Sequence, residues 1–273
     1  MTLYTFQEIV IMLNTISSHQ VHEITSTEKY QNYSVNLTSP EPLLNKTTPK
    51  PNSPSNNSLV KQTLVKQKFN FDIQVAALGS KQRSEIEQFI KQGFLKSYQA
   101  KVSVTMPHLL ALCNGTYKAA LGIRSGQDDL FIEQYISGAI EQQAVFVKNN
   151  IDRKDIVEIG HLFSNNQRFT LPLFMITAVS LFYLNYKYMV FSGTEKVVNL
   201  MVKSGVHCTH LSDAYQNEIQ TSTDDWGSYY ATNPKVIAVS LSDVIALIDR
   251  LPMYQAMFKS LDKQIAQTCQ QLS

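Results

Sequence analysis

The sequence predicts a mixed α/β domain whose sheet is mostly antiparallel and is flanked by helices on both sides. Strand-like and helix-like apolar patterns alternate from about residue 68 onwards. Asn114-Gly115 lies between two apolar runs, which is the pattern of a tight hairpin. The strand–helix–strand order that follows is typical of a crossover between parallel strands, so we expect a mixed sheet.

The first 67 residues differ in composition from the rest of the chain. Between Thr25 and Ser58 they are rich in Ser, Thr, Asn and Pro, and such a segment cannot bury enough apolar surface to offset the entropy lost on ordering. We therefore predict a largely disordered extension over residues 1–67. One domain, including a C-terminal helix, is predicted over residues 68–273.

The first half of the domain is predicted to contain a strand, a helix and a hairpin. Apolar residues alternate from Phe69 to Leu78 as in a strand, and Gly79-Ser80 ends the pattern. A helix follows, because its apolar residues recur at helical spacing: Ile86, Phe89, Ile90 and Phe94. The hairpin strands are predicted at Leu109–Cys113 and Tyr117–Arg124.

The second half is predicted to alternate helices and strands. The predicted segments are a helix at Ile136–Val147, a strand at Ile156–Phe163, a helix at Phe169–Asn185, a strand at Tyr188–Ser192, a helix at Glu195–Lys203 and a strand at Val236–Leu241. A C-terminal helix follows, interrupted at Pro252 because proline disfavours a helix interior. Leu171–Leu184 is the most apolar stretch, but it is shorter than the roughly 20 residues that a bilayer requires, so it is interpreted as a core helix.

Charge and cysteine content exclude several kinds of site. The net charge is +2 without a basic stripe, so no nucleic-acid partner is expected. The 3 cysteines are widely spaced and form no C-x-x-C pair, so neither a metal site nor a disulfide framework is expected. No secretory signal and no transmembrane segment are recognisable, so we expect a cytoplasmic protein and leave peripheral membrane contact open.

Several short phrases occur in a fixed order between about residues 69 and 240. They are Ala120-Leu-Gly-Ile-Arg124, Leu130-Phe-Ile-Glu-Gln-Tyr135, Ile140-Glu141, Ile156-Val-Glu-Ile-Gly-His-Leu162, Val190-Phe-Ser192 and Trp226-Gly-Ser-Tyr-Tyr230, with Pro234 and Val236 after them. Each phrase alone is weak, but the ordered set resembles the thermostable hemolysin family. That family is similar to GNAT acyltransferases, and among those to autoinducer synthases and N-acyl amino acid synthases.

The resemblance implies a GNAT-like fold and the transfer of a fatty acyl group to a small amine or an amino-acid-like acceptor. The donor would be acyl carrier protein or acyl-CoA, acting as a co-substrate, and no permanently bound cofactor is implied. The family's name suggests a membrane-active cytolysin instead, and a catalytically inactive GNAT fold used for binding is a third hypothesis. No amphipathic hairpin or spanning segment supports pore formation, so the sequence favours the enzyme.

The resemblance also implies where the donor binds. In GNAT folds the thioester phosphates lie at the loop between the fourth strand and the next helix, which here holds Asn165, Asn166, Gln167 and Arg168. A helix N-terminus beside an arginine is a suitable phosphate site. The loop has no glycine, in contrast to the usual R-x-x-G-x-G/A pattern, which favours acyl carrier protein over coenzyme A as the donor. An ordinary polar turn before a capped helix is the alternative.

Three acidic residues are candidates for the catalytic base or for binding the acceptor amine. Glu158 lies within an apolar strand, where a carboxylate is costly to bury unless it is paired, so it is either a base with a raised pKa or half of an ion pair with Arg124 or Arg153. Glu133 and Glu141 are candidates for binding the acceptor's ammonium group. Glu141 alone is more typical of a solvated helix residue.

Three further side chains are candidates for catalysis or substrate binding. His161 stands where the family pattern has asparagine and is a possible proton acceptor, or a structural histidine; Gly160 before it would allow the strand to bulge. Tyr230, or its neighbour Tyr229, is a candidate proton donor to the leaving thiolate, as a tyrosine is in many GNAT enzymes. Trp226, the single tryptophan, is a candidate substrate contact; aromatic residues in such a cluster more often complete a core.

Overall fold

A seven-stranded mixed sheet forms the centre of the molecule. The computed structural model describes residues 71–220 and 224–273, so the prediction for residues 1–67 lies outside the described residues. The strands are β1 (Asp72–Ala77), β2 (His108–Asn114), β3 (Thr116–Ser125), β4 (Ile156–Ser164), β5 (Tyr188–Gly193), β6 (Thr209–Asp213) and β7 (Lys235–Ser240). Their order across the sheet is β1-β2-β3-β4-β5-β7-β6.

Six helices accompany the sheet within the described residues: α1 (Arg83–Tyr98), α2 (Ala144–Lys148), α3 (Gln167–Tyr183), α4 (Glu195–Lys203), α5 (Leu241–Arg250) and α6 (Pro252–Leu272). Strands β4 and β5 are parallel, because α3 carries the chain from one to the other, and the remaining strand pairs are antiparallel. The predicted mixed, mostly antiparallel sheet flanked by helices is confirmed.

The two faces of the sheet have different cover. On one face, α1 and the segment between β3 and β4 bury two apolar clusters that share the neighbours Phe131 and Tyr230. We call this the site face, because the side chain of Glu158 lies on it. Alternate residues of a strand point to opposite faces. Phe191 accordingly lies on the opposite face, where its ring packs 5.7 Å from that of Phe174 in α3.

Two elements differ from the sequence prediction. The segment predicted as a helix at Ile136–Val147 contains a 3₁₀ turn at Ile140–Gln142 and the short helix α2, because Gly138 with φ +77° breaks the backbone. Strand β6 was not predicted, since Thr209-His-Leu-Ser-Asp213 has no run of apolar residues. It is an edge strand of the sheet and is hydrogen-bonded to β7.

Strands β4 and β5 separate partway along their length. They pair only between Ile156–Ile159 and Tyr188–Phe191, although β4 continues to Ser164. Just past the last pair, Gly122 of β3 lies opposite Gly160 and Ala120 lies opposite Phe163, so two residues of β4 face one of β3. This is a β-bulge, and it bends β4 away from β5. The separation creates the cleft in which the candidate site lies.

Helix α3 is buried along most of its length, as its composition predicts. Within the described residues, no helix is both long and apolar enough to cross a membrane.

Candidate active site

A large cavity lies on the site face and extends into the cleft between β4 and β5. Its volume is about 880 Å³, within the usual range for small-molecule sites. Polar groups line the end near β3 and the loop after it: Ser103, Thr105, Arg124, Asp128, Asp129 and Glu158. Apolar side chains line the part that reaches the cleft: Ile159, Leu162, Phe174, Phe191 and Val197. The cavity therefore offers both charged groups and apolar surface to a ligand.

Glu158 is a buried carboxylate on the wall of this cavity and is only 1% exposed. Its two oxygens accept hydrogen bonds from the backbone N–H groups of Phe131, at 3.1 Å, and Ile132, at 2.9 Å. Burial raises the pKa of Glu158 to about 7, although these N–H groups and the Arg124 guanidinium act in the opposite direction. A carboxylate with such a pKa can take up and release a proton near neutral pH.

Arg124 is the cross-strand neighbour of Glu158 and is its partner in a loose ion pair. The Arg124 Nη1 atom lies 3.5 Å from a Glu158 oxygen. The same guanidinium donates to the Asp129 carbonyl at 3.1 Å and to the Thr105 hydroxyl at 3.1 Å. Arg124 therefore contacts Glu158, Thr105 and the loop after β3 at the same time, which gives the cavity a polar surface beside the carboxylate.

His161 forms the bulge of β4 and adopts a left-handed backbone conformation, with φ +52°. This conformation is uncommon for a residue with a side chain and often marks a functional segment. Burial lowers the pKa of His161 to about 4, so the imidazole is neutral at physiological pH. The ring lines the cavity, but a group with this pKa accepts a proton less readily than Glu158 does.

An aromatic wall lines part of the cavity. Trp226, Tyr229 and Tyr230 lie on one turn, and their rings pack within 5.2–5.8 Å of each other. The Tyr230 hydroxyl meets the Tyr135 hydroxyl at 2.5 Å. Burial raises the pKa of Tyr230 to about 12, so the hydroxyl keeps its proton at neutral pH and is able to donate it.

Glu133 and Glu141 lie together, but outside this cavity. The Arg153 guanidinium binds Glu133 through two hydrogen bonds, at 2.5 and 2.7 Å, and reaches Glu141 at 3.1 Å. Glu133 also accepts a hydrogen bond from the Ile140 backbone N–H at 2.9 Å. Neither residue lines the cavity, so this cluster fixes the fold of the segment between β3 and β4.

The predicted phosphate loop lies at the N-terminus of α3. The Asn166 side chain caps the helix by accepting a hydrogen bond from the Arg168 backbone N–H at 3.0 Å, and the Asn165 N–H donates to the Lys118 carbonyl. The Arg168 guanidinium stacks on the Phe169 ring at 4.6 Å. Gln167 lines a second cavity of about 510 Å³, together with residues of α4: Glu195, Lys196, Asn199, Leu200 and Lys203.

Of the residues predicted for the site, five line the main cavity together: Arg124, Glu158, His161, Trp226 and Tyr230. The structure adds Tyr135 and Met106, which were not predicted. Tyr135 lies within the phrase that drew attention to Glu133, but nothing in the sequence indicates that its hydroxyl meets Tyr230. Met106 precedes the hairpin in a segment without a recognisable pattern.

The sheet, the bulge and the cleft define a mixed α/β protein with a large cavity at the point where two parallel strands separate. Residues 76–245 match the model of the thermostable hemolysin family, so the chain belongs to that family. No curated protein matches the chain in sequence.

Several solved structures are similar to the described fold. A CoA-dependent acyl-homoserine lactone synthase has a TM-score of 0.45 at 10% identity, covering 70% of this chain and 99% of its own. An N-acyl amino acid synthase from uncultured soil microbes has a TM-score of 0.43 at 13% identity, covering 67% and 98%. An N-acetyltransferase from Staphylococcus aureus has a TM-score of 0.38 at 8% identity, covering 62% and 99%.

Proposed function

We propose that this protein is an N-acyltransferase that moves a fatty acyl group from an acyl thioester to a small amine. The observation that carries the proposal is the buried Glu158 carboxylate, whose pKa of about 7 places a proton acceptor on the wall of a cavity that opens between β4 and β5. An amine acceptor enters as an ammonium ion and must lose a proton before it can attack a carbonyl carbon. Glu158 accepts that proton.

The attack itself requires no covalent intermediate with the enzyme. The amine nitrogen forms a bond to the thioester carbonyl carbon, and the tetrahedral intermediate then expels the thiolate. Within the described part of the chain, the pairing of β4 with β5 ends at Ile159, and backbone N–H groups of β4 past this point would stabilise the oxyanion. As the intermediate collapses, its nitrogen loses a second proton, which passes to water. Tyr230 donates its hydroxyl proton to the thiolate and is reprotonated through water by the proton that Glu158 took from the ammonium group, so the net products are the amide, the thiol and one proton released to solvent.

The second cavity supports a donor whose phosphate-bearing arm approaches along α3. Lys196 and Lys203 line it together with Glu195 and with Gln167, the first residue of α3, so two positive side chains lie close to the N-terminus of this helix. Thr194 and Val197, on the same strand-to-helix connection, line the main cavity. Both acyl carrier protein and coenzyme A carry such an arm, and the loop without glycine favours acyl carrier protein.

The test is an in vitro transfer reaction with the purified full chain. Acyl carrier protein and coenzyme A, each loaded with acyl groups of different lengths, are offered with a panel of amines and amino acids, and amide products are detected by mass spectrometry. We expect an acylated amine with at least one donor. We expect Glu158→Gln to lower kcat/KM by about a hundredfold or more, because proton acceptors typically contribute that much.

Glu85→Gln is the matched control: it makes the same chemical change at an exposed residue of α1 that does not line the cavity. It is expected to match the wild type. If the protein unfolds cooperatively and yet forms no amide with any donor, a catalytically inactive binding protein is the better hypothesis. Lysis of red cells without an acyl donor would support the cytolysin.

A further inference from the structure

The floor of the main cavity contains a groove between two glycines that one methionine fills. Gly122 and Gly160 are partners across β3 and β4 on the site face. A Cβ atom added at Gly122 would overlap the Cβ and Cγ atoms of Met106, and one added at Gly160 would overlap its Cε atom. The Met106 side chain therefore lies directly on the backbone of both strands, and only glycine at the two positions leaves room for it.

Met106 is held there by its own backbone as well as by packing. Arg83 is 6% exposed, and its guanidinium donates to the Met106 carbonyl at 2.7 Å and to the Pro107 carbonyl at 3.0 Å. Because both hydrogen bonds reach the main chain, they fix the position of residue 106 whatever its side chain is. Only the length and shape of that side chain then decide how much of the groove is filled.

The surroundings of the groove are apolar. Met106 belongs to the buried cluster that contains Ile90, Phe94 and Leu109, and it lines the cavity beside Phe94 and Gly160. The groove lies next to the bulge at His161, where β4 separates from β5. An alkyl chain that enters through the cleft and passes the bulge meets Met106 beside Phe94, whereas the charged groups of Arg124 and Glu158, two residues away along β3 and β4, suit the amine.

We propose that Met106 is a specificity-determining residue that ends the acyl-binding part of the cavity and so limits the length of the transferred acyl chain. This inference rests on the proposed acyl transfer. Met106→Ala removes three chain atoms from the groove while Arg83 still holds the backbone. The space between Gly122 and Gly160 then admits the end of a longer acyl chain.

The expected effect is a shift in chain-length preference. Each methylene that gains an apolar site binds roughly fourfold more tightly, so Met106→Ala should move the preferred acyl length up by about two or three carbons. Met106→Leu should keep the wild-type preference to within one carbon, because leucine and methionine have similar volumes. The measurement is kcat/KM for a series of saturated acyl donors with one fixed amine.

Met175→Ala is the matched control for a methionine lost from the core. Met175 is fully buried on α3 and does not line the cavity. It should lower stability without changing the preferred chain length. The inference is overturned if Met106→Ala keeps the wild-type optimum, or if Met175→Ala shifts the optimum equally. If wild type transfers no acyl group of any length, the proposed function itself fails.

A binding measurement separates these two failures. Non-hydrolysable thioether analogues of the acyl donor, titrated calorimetrically into wild type and Met106→Ala, report chain-length preference without turnover. The same shift of about two or three carbons is expected in the dissociation constants. Equal profiles for the two proteins would overturn the role of Met106 even in a catalytically inactive protein.

Discussion

At the scale of single residues, the main question is why a carboxylate is kept inside an apolar strand. Glu158 is held by two backbone N–H groups and one arginine at 3.5 Å, and this support is too weak to lower its pKa to the usual range of a carboxyl group. A purely structural ion pair would favour a close, bidentate contact, such as the one that Arg153 makes with Glu133. The difference between the two glutamates supports a catalytic role for Glu158 and a structural one for Glu133.

This arrangement predicts the pH dependence of the reaction. Only ionised Glu158 accepts a proton, so kcat/KM should rise with pH through a midpoint near 7. Arg124 lowers the pKa of Glu158, so Arg124→Gln should raise that pKa and move the midpoint to higher pH. The measurement is the pH profile of kcat/KM for both proteins. A midpoint that stays in place would show that the profile reports another group, such as the amine substrate.

The role of His161 depends more on its backbone conformation than on the chemistry of its side chain. Its left-handed conformation produces the bulge, and this conformation is uncommon for a residue with a side chain. Its lowered pKa removes the feature that made it a candidate base. The proton-acceptor role thus stays a prediction for His161, and Glu158 fits it better.

At the scale of elements, the strands and helices with regular apolar patterns were predictable. The hairpin, β4, α3 and β5 follow from alternation, from Asn114-Gly115 and from the continuous apolar runs. The site was less predictable, because strand pairing decides which side chains meet. Arg124 pairs with Glu158 across β3 and β4, whereas Arg153, which the sequence offered equally as a partner of Glu158, binds Glu133 instead. The position of Met106 depends on the approach of two strands and has no signal in the sequence.

The turn that carries the aromatic wall depends on a glycine. Gly227 has φ +49°, and a Cβ atom there would overlap the carbonyl oxygen of Tyr98, to which the Ser228 N–H donates at 2.8 Å. Gly227→Ala should therefore lower the free energy of unfolding by about 2–4 kcal/mol, since neither the strain nor the overlap can be relieved locally. Urea denaturation measures the loss.

Gly115→Ala is the control for this change. Gly115 also has a positive φ, +68°, but an added Cβ atom would meet nothing within 4 Å. Its cost should be about 1 kcal/mol, from backbone strain alone. Because Trp226 is the single tryptophan, its fluorescence reports directly on the aromatic wall, and Gly227→Ala should alter the native emission whereas Gly115→Ala should not. Equal losses for both variants would contradict the close approach to Tyr98.

At the scale of the whole molecule, the extent of the domain is the remaining question. The family model ends at residue 245, whereas α6 begins at Pro252. The helix nevertheless packs against α3: the Cys269 thiol lies 3.6 Å from the Ser180 carbonyl oxygen, and both residues are buried. Since Phe174 of the same helix lines the cavity, α6 supports one wall of the site from behind.

We therefore propose that α6 folds as part of the domain over residues 68–273, and a single substitution tests this. Leu261 is fully buried on α6, so Leu261→Ala should lower the free energy of unfolding by about 2–5 kcal/mol in one cooperative transition. Lys263→Ala, an exposed change on the same helix, should stay within about 0.5 kcal/mol of the wild type. Two results would contradict this proposal: α6 of Leu261→Ala unfolds in a separate early step, or the substitution lowers the free energy of unfolding no more than Lys263→Ala does. In either case α6 would not be part of the cooperative domain, which would then end close to residue 245.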